Sequence, residues 1–195
     1  MKDFWENIFH KQTKETKIYE ILKNNILFKD LSFKELELVY GIMNPRHYKP
    51  GELIFHQGDT GVGMFIIVNG TVNIFLDEII ENQELRRTLI TKLKSGDFFG
   101  ESSLVIDGGQ RSATVIAKED CELLGFFYPD LKQIINKHPV TGTKILFRLG
   151  EVLGTRLRET NKKIITLISE VSFLKNKNMV QEENNSGNGQ QTYTS

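Results

Sequence analysis

The pair Asn69-Gly70 constrains this chain more than any other two residues. Asn-Gly supplies the positive backbone angles of a two-residue hairpin turn and joins two antiparallel strands. A continuous apolar run, residues 64–68, leads into it. After it Val72, Ile74 and Leu76 alternate with Thr71, Asn73 and Phe75, the pattern of a strand with two different faces. The same texture extends on both sides from Arg46. Pro50-Gly51 and Gly58-Asp59 read as turns around a strand at 52–57, and residues 88–93 and 121–127 read as further strands. The polar stretch 77–87 reads as a loop. About six to eight short strands at this spacing predict a jelly-roll-like β-barrel or sandwich.

Both ends of the chain have helical texture. Asp3-x-x-Glu6 opens an amphipathic turn or two with Phe4, Trp5, Ile8 and Phe9. Ile18, Tyr19, Ile21, Leu22, Ile26 and Leu27 then recur at helical spacing. Ser32 and Glu35 form a capping box, Leu31 and Leu36 suit a hydrophobic staple, and Gly41 suits a left-handed stop. Pro129 opens a short helix with Leu131, Ile134 and Ile135 on its apolar side, and His138-Pro139 breaks it. A long helix is expected over about 143–175, roughly 50 Å at 1.5 Å per residue. A heptad frame fits it through Leu146, Gly150, Leu153, Leu157, Thr160, Ile164, Leu167, Val171 and Leu174, of which seven are apolar. That seam predicts a homodimer through residues 143–175. The alternative is a helix whose first half packs on the barrel and whose second half frays. Residues 176–195 are rich in Asn, Gln, Ser, Gly and Thr and read as a disordered tail. The expected fold is therefore α+β, a β jelly-roll-like barrel flanked by N-terminal helices and a long C-terminal helix. Its parts are N-terminal helices 1–42, barrel 43–128, C-terminal helices 129–175 and tail 176–195.

Composition removes several function classes. Twenty-five basic and twenty-five acidic residues give a formal net charge of zero, against the basic face or stripe of a nucleic-acid binder. A single cysteine, Cys121, forbids an internal disulfide and fits a reducing compartment; inside an apolar run it reads as a buried small hydrophobe, not a nucleophile. No apolar run reaches the roughly 18 residues of a membrane span, and the N-terminus shows no secretion signal, so a cytoplasmic location is expected. His10, His47, His56 and His138 are scattered and lack His-x-His spacing, which argues against a metal-dependent barrel enzyme. With no nucleophile–base pair or phosphate-binding Gly-x-x-x-x-Gly-Lys loop either, the chain is expected not to be an enzyme.

One segment carries chemistry. Residues 96–115 read GDFFGESSLVIDGGQRSATV: a Gly-Asp turn, two aromatics, Gly100-Glu101, a short helical stretch at 102–106, a glycine break, then Arg111 leading into a strand. Such a segment sets backbone N–H groups at a helix start beside one arginine, a cradle suited to a single phosphate. On its own a Glu/Arg pair beside a glycine turn is commonly a surface ion pair. The whole frame, however, resembles the phosphate-binding cassette of the cyclic nucleotide-binding domain family, and the resemblance spans roughly residues 25–165.

That resemblance implies a set of ligand contacts. Arg111 would hold the cyclic phosphate, Glu101 would accept from the ribose 2′-hydroxyl beside the Gly100 backbone, the amides of Ser102 and Ser103 would face the phosphate, and Ser112 would add a hydroxyl donor. Ser102-Ser103 replaces the Leu-Ala or Leu-Gly frequent in the family, leaving Leu104 to link the cassette to its neighbouring helix. Ile74 and Ile90 fall where the family's base-contacting aliphatics lie, and both also suit ordinary barrel core. The long helix carries Arg156, Leu157, Thr160 and Asn161 in the frame where catabolite activator relatives bond adenine from two subunits. Thr160 and Asn161 would then meet the base and Arg156 would pair with Glu101; equally, a coiled coil tolerates a threonine in its seam. The ligand implied is cyclic AMP or cyclic GMP, with no cofactor and no metal, and Ser112 favours neither nucleotide. Catabolite activators follow the long helix with a helix-turn-helix, for which this sequence leaves no room, so no DNA contact is expected. The expectation is a homodimeric receptor that signals to a separate, unidentified protein. Its rival is a barrel of this type that has lost its ligand and acts as an interaction module.

Overall fold

A computed structural model describes residues 15–80, 84–106 and 108–187, with side chains beyond Lys175 described only at Lys177. The helix start expected at Asp3 lies outside the described residues. Residues 15–24 form α1, followed by a turn and then α2, Phe33–Ile42. Eight strands follow: β1 Asn44–Tyr48, β2 Leu53–Phe55, β3 Gly63–Asn69, β4 Thr71–Ile79, β5 Leu85–Lys94, β6 Phe98–Phe99, β7 Thr114–Ala117 and β8 Cys121–Phe127. A 3-10 turn, Glu101–Leu104, stands between β6 and β7. Helices α3, Tyr128–Lys137, and α4, Pro139–Gly187, complete the chain.

The strands form two four-stranded antiparallel sheets, ordered β1-β8-β3-β6 and β2-β7-β4-β5. The fold is α+β with a jelly-roll-like barrel. Its interior is filled from both sheets: Phe65, Ile67, Phe99, Cys121 and Leu123 meet Val72, Val115 and Ala117. Phe65 stacks on Phe99 at 5.6 Å between ring centres. The opposite faces of β3 and β8 are buried too, because helices cover them. Met64 and Ile66 are fully buried, and Phe126 meets Phe28 edge-on at 6.1 Å. This double burial explains why residues 64–68 are uniformly apolar while β4, with one face near solvent, alternates.

The helical cover is joined to the barrel by polar contacts as well. Buried Asn25 donates to the Gly96 carbonyl at 3.3 Å and accepts from the Leu27 amide at 3.1 Å. Glu35 takes part in the α2 capping box and also accepts from Lys144 of α4 at 2.8 Å and from Thr141 at 3.1 Å. Arg148 pairs with Asp30 one turn further along α4.

Five local expectations are corrected. Asn69-Gly70 turns the chain but makes no hairpin: β3 pairs with β6 and β8 while β4 pairs with β5 and β7, so the turn carries the chain from one sheet to the other. Gly41 stays helical; α2 ends instead at Met43 in extended conformation, the geometry needed to enter β1 directly before Pro45. The two ends of the polar stretch 77–87, residues 77–79 and 85–87, are strand, because Asp77 faces Arg87 and Glu78 faces Arg86 across the β4–β5 ladder, where opposite charges favour pairing. The long helix begins at Pro139, since proline is tolerated in a first helical turn. It also continues through 176–187, where a tail was expected: extending an existing helix avoids the cost of nucleation, and no proline or glycine intervenes before Gly187.

The chain divides into two compact units, Met1–Gly150 and Glu151–Ser195. In the second unit Leu157, Ile164, Ile165, Leu167, Ile168, Val171 and Leu174 are all exposed. Among the described residues no helix is long and apolar enough to cross a membrane.

Candidate functional site

The site begins where β6 ends. Phe99 is anchored in the barrel interior, and Gly100 then turns the chain with φ of 78°. A β-carbon at Gly100 would meet Arg111 Nη1 and come within 3.2 Å of the Gly63 carbonyl, so both conformation and space demand glycine. The 3-10 turn that follows buries Glu101, Ser103 and Leu104, leaving Ser102 half-buried. Leu104 is thus an apolar anchor for this turn.

Arg111 arrives from the opposite direction. Its amide donates to the Asp59 carbonyl at 2.8 Å, and its own carbonyl accepts from the Gly58 amide at 2.9 Å. The Gly61 amide donates to Gly109 at 2.8 Å. The segment before β7 is therefore laced to the loop between β2 and β3 by main-chain bonds. The side chain then enters the protein and is only 7% exposed. Nη1 donates to the Gly63 carbonyl at 2.7 Å, and to the Gly100 carbonyl and Ser103 Oγ at 3.3 Å each. The guanidinium carbon lies 4.1 Å from the centre of the Phe55 ring, a cation–π contact that offsets part of the lost hydration.

Burial pushes the Arg111 pKa below its ordinary value, with Asp59 and Glu101 pulling it back up. An arginine starting so high stays protonated. All of its hydrogen bonds to described residues leave from Nη1. A guanidinium also carries N–H groups on Nε and Nη2, the fork that matches two oxygens of one anion. A buried cation paired mainly with carbonyls and a ring can take an anion as a further partner.

The sequence-derived residues are placed as follows. Gly100, Ser103 and Arg111 touch one another, and Glu101 is buried in the same turn at 6% exposure. The Ser103 amide donates to the Gly100 carbonyl at 3.2 Å, so one of the two amides expected to face an anion is already used inside the turn. Ser112 is exposed. Ile74 packs half-buried against the barrel interior, whereas Ile90 is 55% exposed at the irregularity where β5 slips against β4. Arg156, Thr160 and Asn161 are exposed on the second unit, with the Thr160 hydroxyl donating to the Arg156 carbonyl at 2.9 Å.

Three contributors escape a reading of the sequence: Phe55 beneath the guanidinium, the Gly63 carbonyl, and Gly61. A β-carbon at Gly61 would collide with Ser103 Oγ and lie 3.1 Å from Arg111 Nε. The signal available was three glycines within six residues, Gly58 to Gly63, just before an apolar strand.

Comparison with known proteins bears on the family and the fold. Residues 45–138 match the family profile described as cyclic nucleotide-binding domain. The chain is 36% identical over 149 residues to the cyclic AMP receptor protein of Thermus thermophilus, covering 76% of this chain and 65% of that protein. Some other curated relatives are covered over only 52% of their length, so the chain spans about half to two-thirds of the proteins it matches. Among solved structures, Thermus thermophilus catabolite activator protein superposes with a TM-score of 0.65 at 32% identity, over 73% of this chain and 63% of that one. A cyclic nucleotide-binding domain from Methylobacillus flagellatus gives 0.63 at 28% identity, over 79% and 83%. The matched residues run from β1 through α3, and the relatives share that architecture together with about a third of the sequence; residues 45–138 of this chain are a domain of the cyclic nucleotide-binding family.

Proposed function

We propose that this chain is a cyclic nucleotide receptor that binds cyclic AMP, or cyclic GMP, at the Arg111 site and acts by binding without catalysing a reaction. The observation that carries the reading is the buried Arg111 guanidinium, held over Phe55 with Nη1 bonded to the Gly63 carbonyl; the fork of Nε and Nη2 would serve the ligand. The cyclic phosphate would meet that fork, with the Gly100–Ser103 turn closing beside it. The ribose would lie near Glu101 and the base against Ile74. Cyclic AMP is favoured by the similarity to the Thermus thermophilus cyclic AMP receptor protein.

The exposed apolar stripe of α4 supports a two-chain coiled coil; Thr160, Asn161 and Arg156 lie on the same helix. Ligand binding at the barrel would shift the population of chain conformations, and that shift would be passed to a partner protein.

Calorimetric titration of the wild-type chain and of Arg111→Leu with both nucleotides tests the reading. Removing the buried cation should weaken binding by about 2–5 kcal/mol, roughly thirty- to several-thousandfold. Equal affinity of the two proteins rejects the assignment. A folded wild-type chain that binds neither nucleotide at millimolar concentration favours the ligand-free interaction module.

A further inference from the structure

On the outer face of the second sheet lies a polar cluster that the family resemblance does not account for. Thr114 is fully buried in β7, only three residues after Arg111. Its hydroxyl donates to Asp77 Oδ2 at 2.6 Å and accepts from the Gln57 amide at 2.9 Å. The Gln57 side chain closes a ring on the backbone of Asp77, with Oε1 accepting from the amide at 2.9 Å and Nε2 donating to the carbonyl at 3.1 Å. Arg87 clamps Asp77 from β5 with bonds of 2.7 and 2.8 Å and lies 5.8 Å from the Phe75 ring. The Arg87 bonds, with help from Thr114, hold the Asp77 carboxyl down at about 2, so it stays ionised and accepting.

The placement is informative. Gln57 immediately precedes the loop whose Gly58 and Asp59 grip the main chain of Arg111 on both sides. Thr114 sits at the other end of the arginine's own segment. The cluster ties both strands of that grip to a third strand, β4, from outside the barrel. We propose that Thr114, Asp77 and Gln57 are positioning residues that fix the Arg111 backbone, so that the guanidinium enters the site already aimed at an anion. This rests on the reading of Arg111 as the anion ligand. Preorganised donors bind more tightly than ones that must first be ordered.

Two conservative substitutions separate aim from bulk stability. Thr114→Val keeps the shape and removes the hydroxyl, leaving the Gln57 amide and Asp77 Oδ2 without it. Thr114→Ser keeps the hydroxyl. Hydrogen exchange on the ligand-free chain reads the grip directly: Thr114→Val should lose protection at residues 58–61 and at Arg111, while β3 and β8 keep theirs, and Thr114→Ser should restore it. In calorimetry with cyclic AMP, Thr114→Val should bind about tenfold more weakly than wild type, with Thr114→Ser near wild type. In the background of Arg111→Leu the Thr114→Val penalty should vanish, because there is no guanidinium left to aim.

Unchanged exchange at 58–61 in Thr114→Val overturns the inference, whatever the ligand does. Lost protection with unchanged cyclic AMP affinity also overturns it, provided Arg111→Leu shows that Arg111 binds the ligand. If Arg111→Leu binds as wild type, the anion assignment itself falls and takes the aiming role with it.

Discussion

Burying a guanidinium is costly unless its donors are satisfied and its charge is met. Among the described residues Arg111 meets that requirement through two glycine carbonyls, one serine hydroxyl and a phenyl face, without a directly bonded carboxylate. Small residues make this possible, because the guanidinium occupies the volume that side chains at Gly61 and Gly100 would fill. Gly61→Ala puts a methyl group against Ser103, within 2.9 Å of its Cβ, and 3.1 Å from Arg111 Nε. Overpacking of this kind costs about 1–3 kcal/mol. Rotating Ser103 away would break its bond to Nη1. The expected result is a lowered Tm together with nucleotide affinity reduced about tenfold, read by calorimetry. Full affinity in Gly61→Ala would show that the arginine is less tightly boxed than its contacts imply.

At the scale of elements, the first sheet is a layer between two apolar regions, the barrel interior and the helical cover. Helix α4 is held to α2 through Glu35, whose carboxyl is pulled down to about 2 by its hydrogen bonds to Lys144, with Ser32 and Thr141 adding to the effect against burial. A carboxyl with a depressed folded-state pKa stabilises the fold fully above its ordinary value of 4.5, and that contribution is lost as pH falls toward 2. Thermal unfolding followed between pH 7 and pH 2 should therefore show a Tm decline below about 4.5 that is shallower in Glu35→Gln, which starts lower at pH 7. Parallel profiles for the two proteins would mean that Glu35 gains nothing from its partners.

For the molecule as a whole, the second unit is a helix whose apolar residues face water. A stripe containing Leu157 (63% exposed), Ile164, Leu167, Val171 and Leu174 exposes a heptad seam. The homodimer proposed for this surface predicts that light scattering gives twice the chain mass for wild type and the single mass for Leu157→Asp, since a charge in a coiled-coil seam is heavily penalised. The same mass for both proteins would remove the dimer.

Features encoded over a few neighbouring residues were legible from sequence. The glycine turn at Gly70, the Ser32–Glu35 capping box, the burial of Cys121, and the order of glycine turn, short helical turn and Arg111 all follow from local rules of backbone freedom, capping and periodicity. The strand character of 77–79 and 85–87 and the helicity of 176–187 were not, because each depends on what lies across a ladder or upstream in a helix, not on local composition. The surroundings of Arg111 were hidden for the same reason. The Gly63 carbonyl bonds it from 48 residues away in the chain, and Gln57 reaches Thr114 across 57. Local pattern states which segments extend, turn or coil, since those preferences belong to each residue's own backbone. Only the closed barrel decides which carbonyl, ring or hydroxyl stands beside the arginine, because sheet register brings distant segments together.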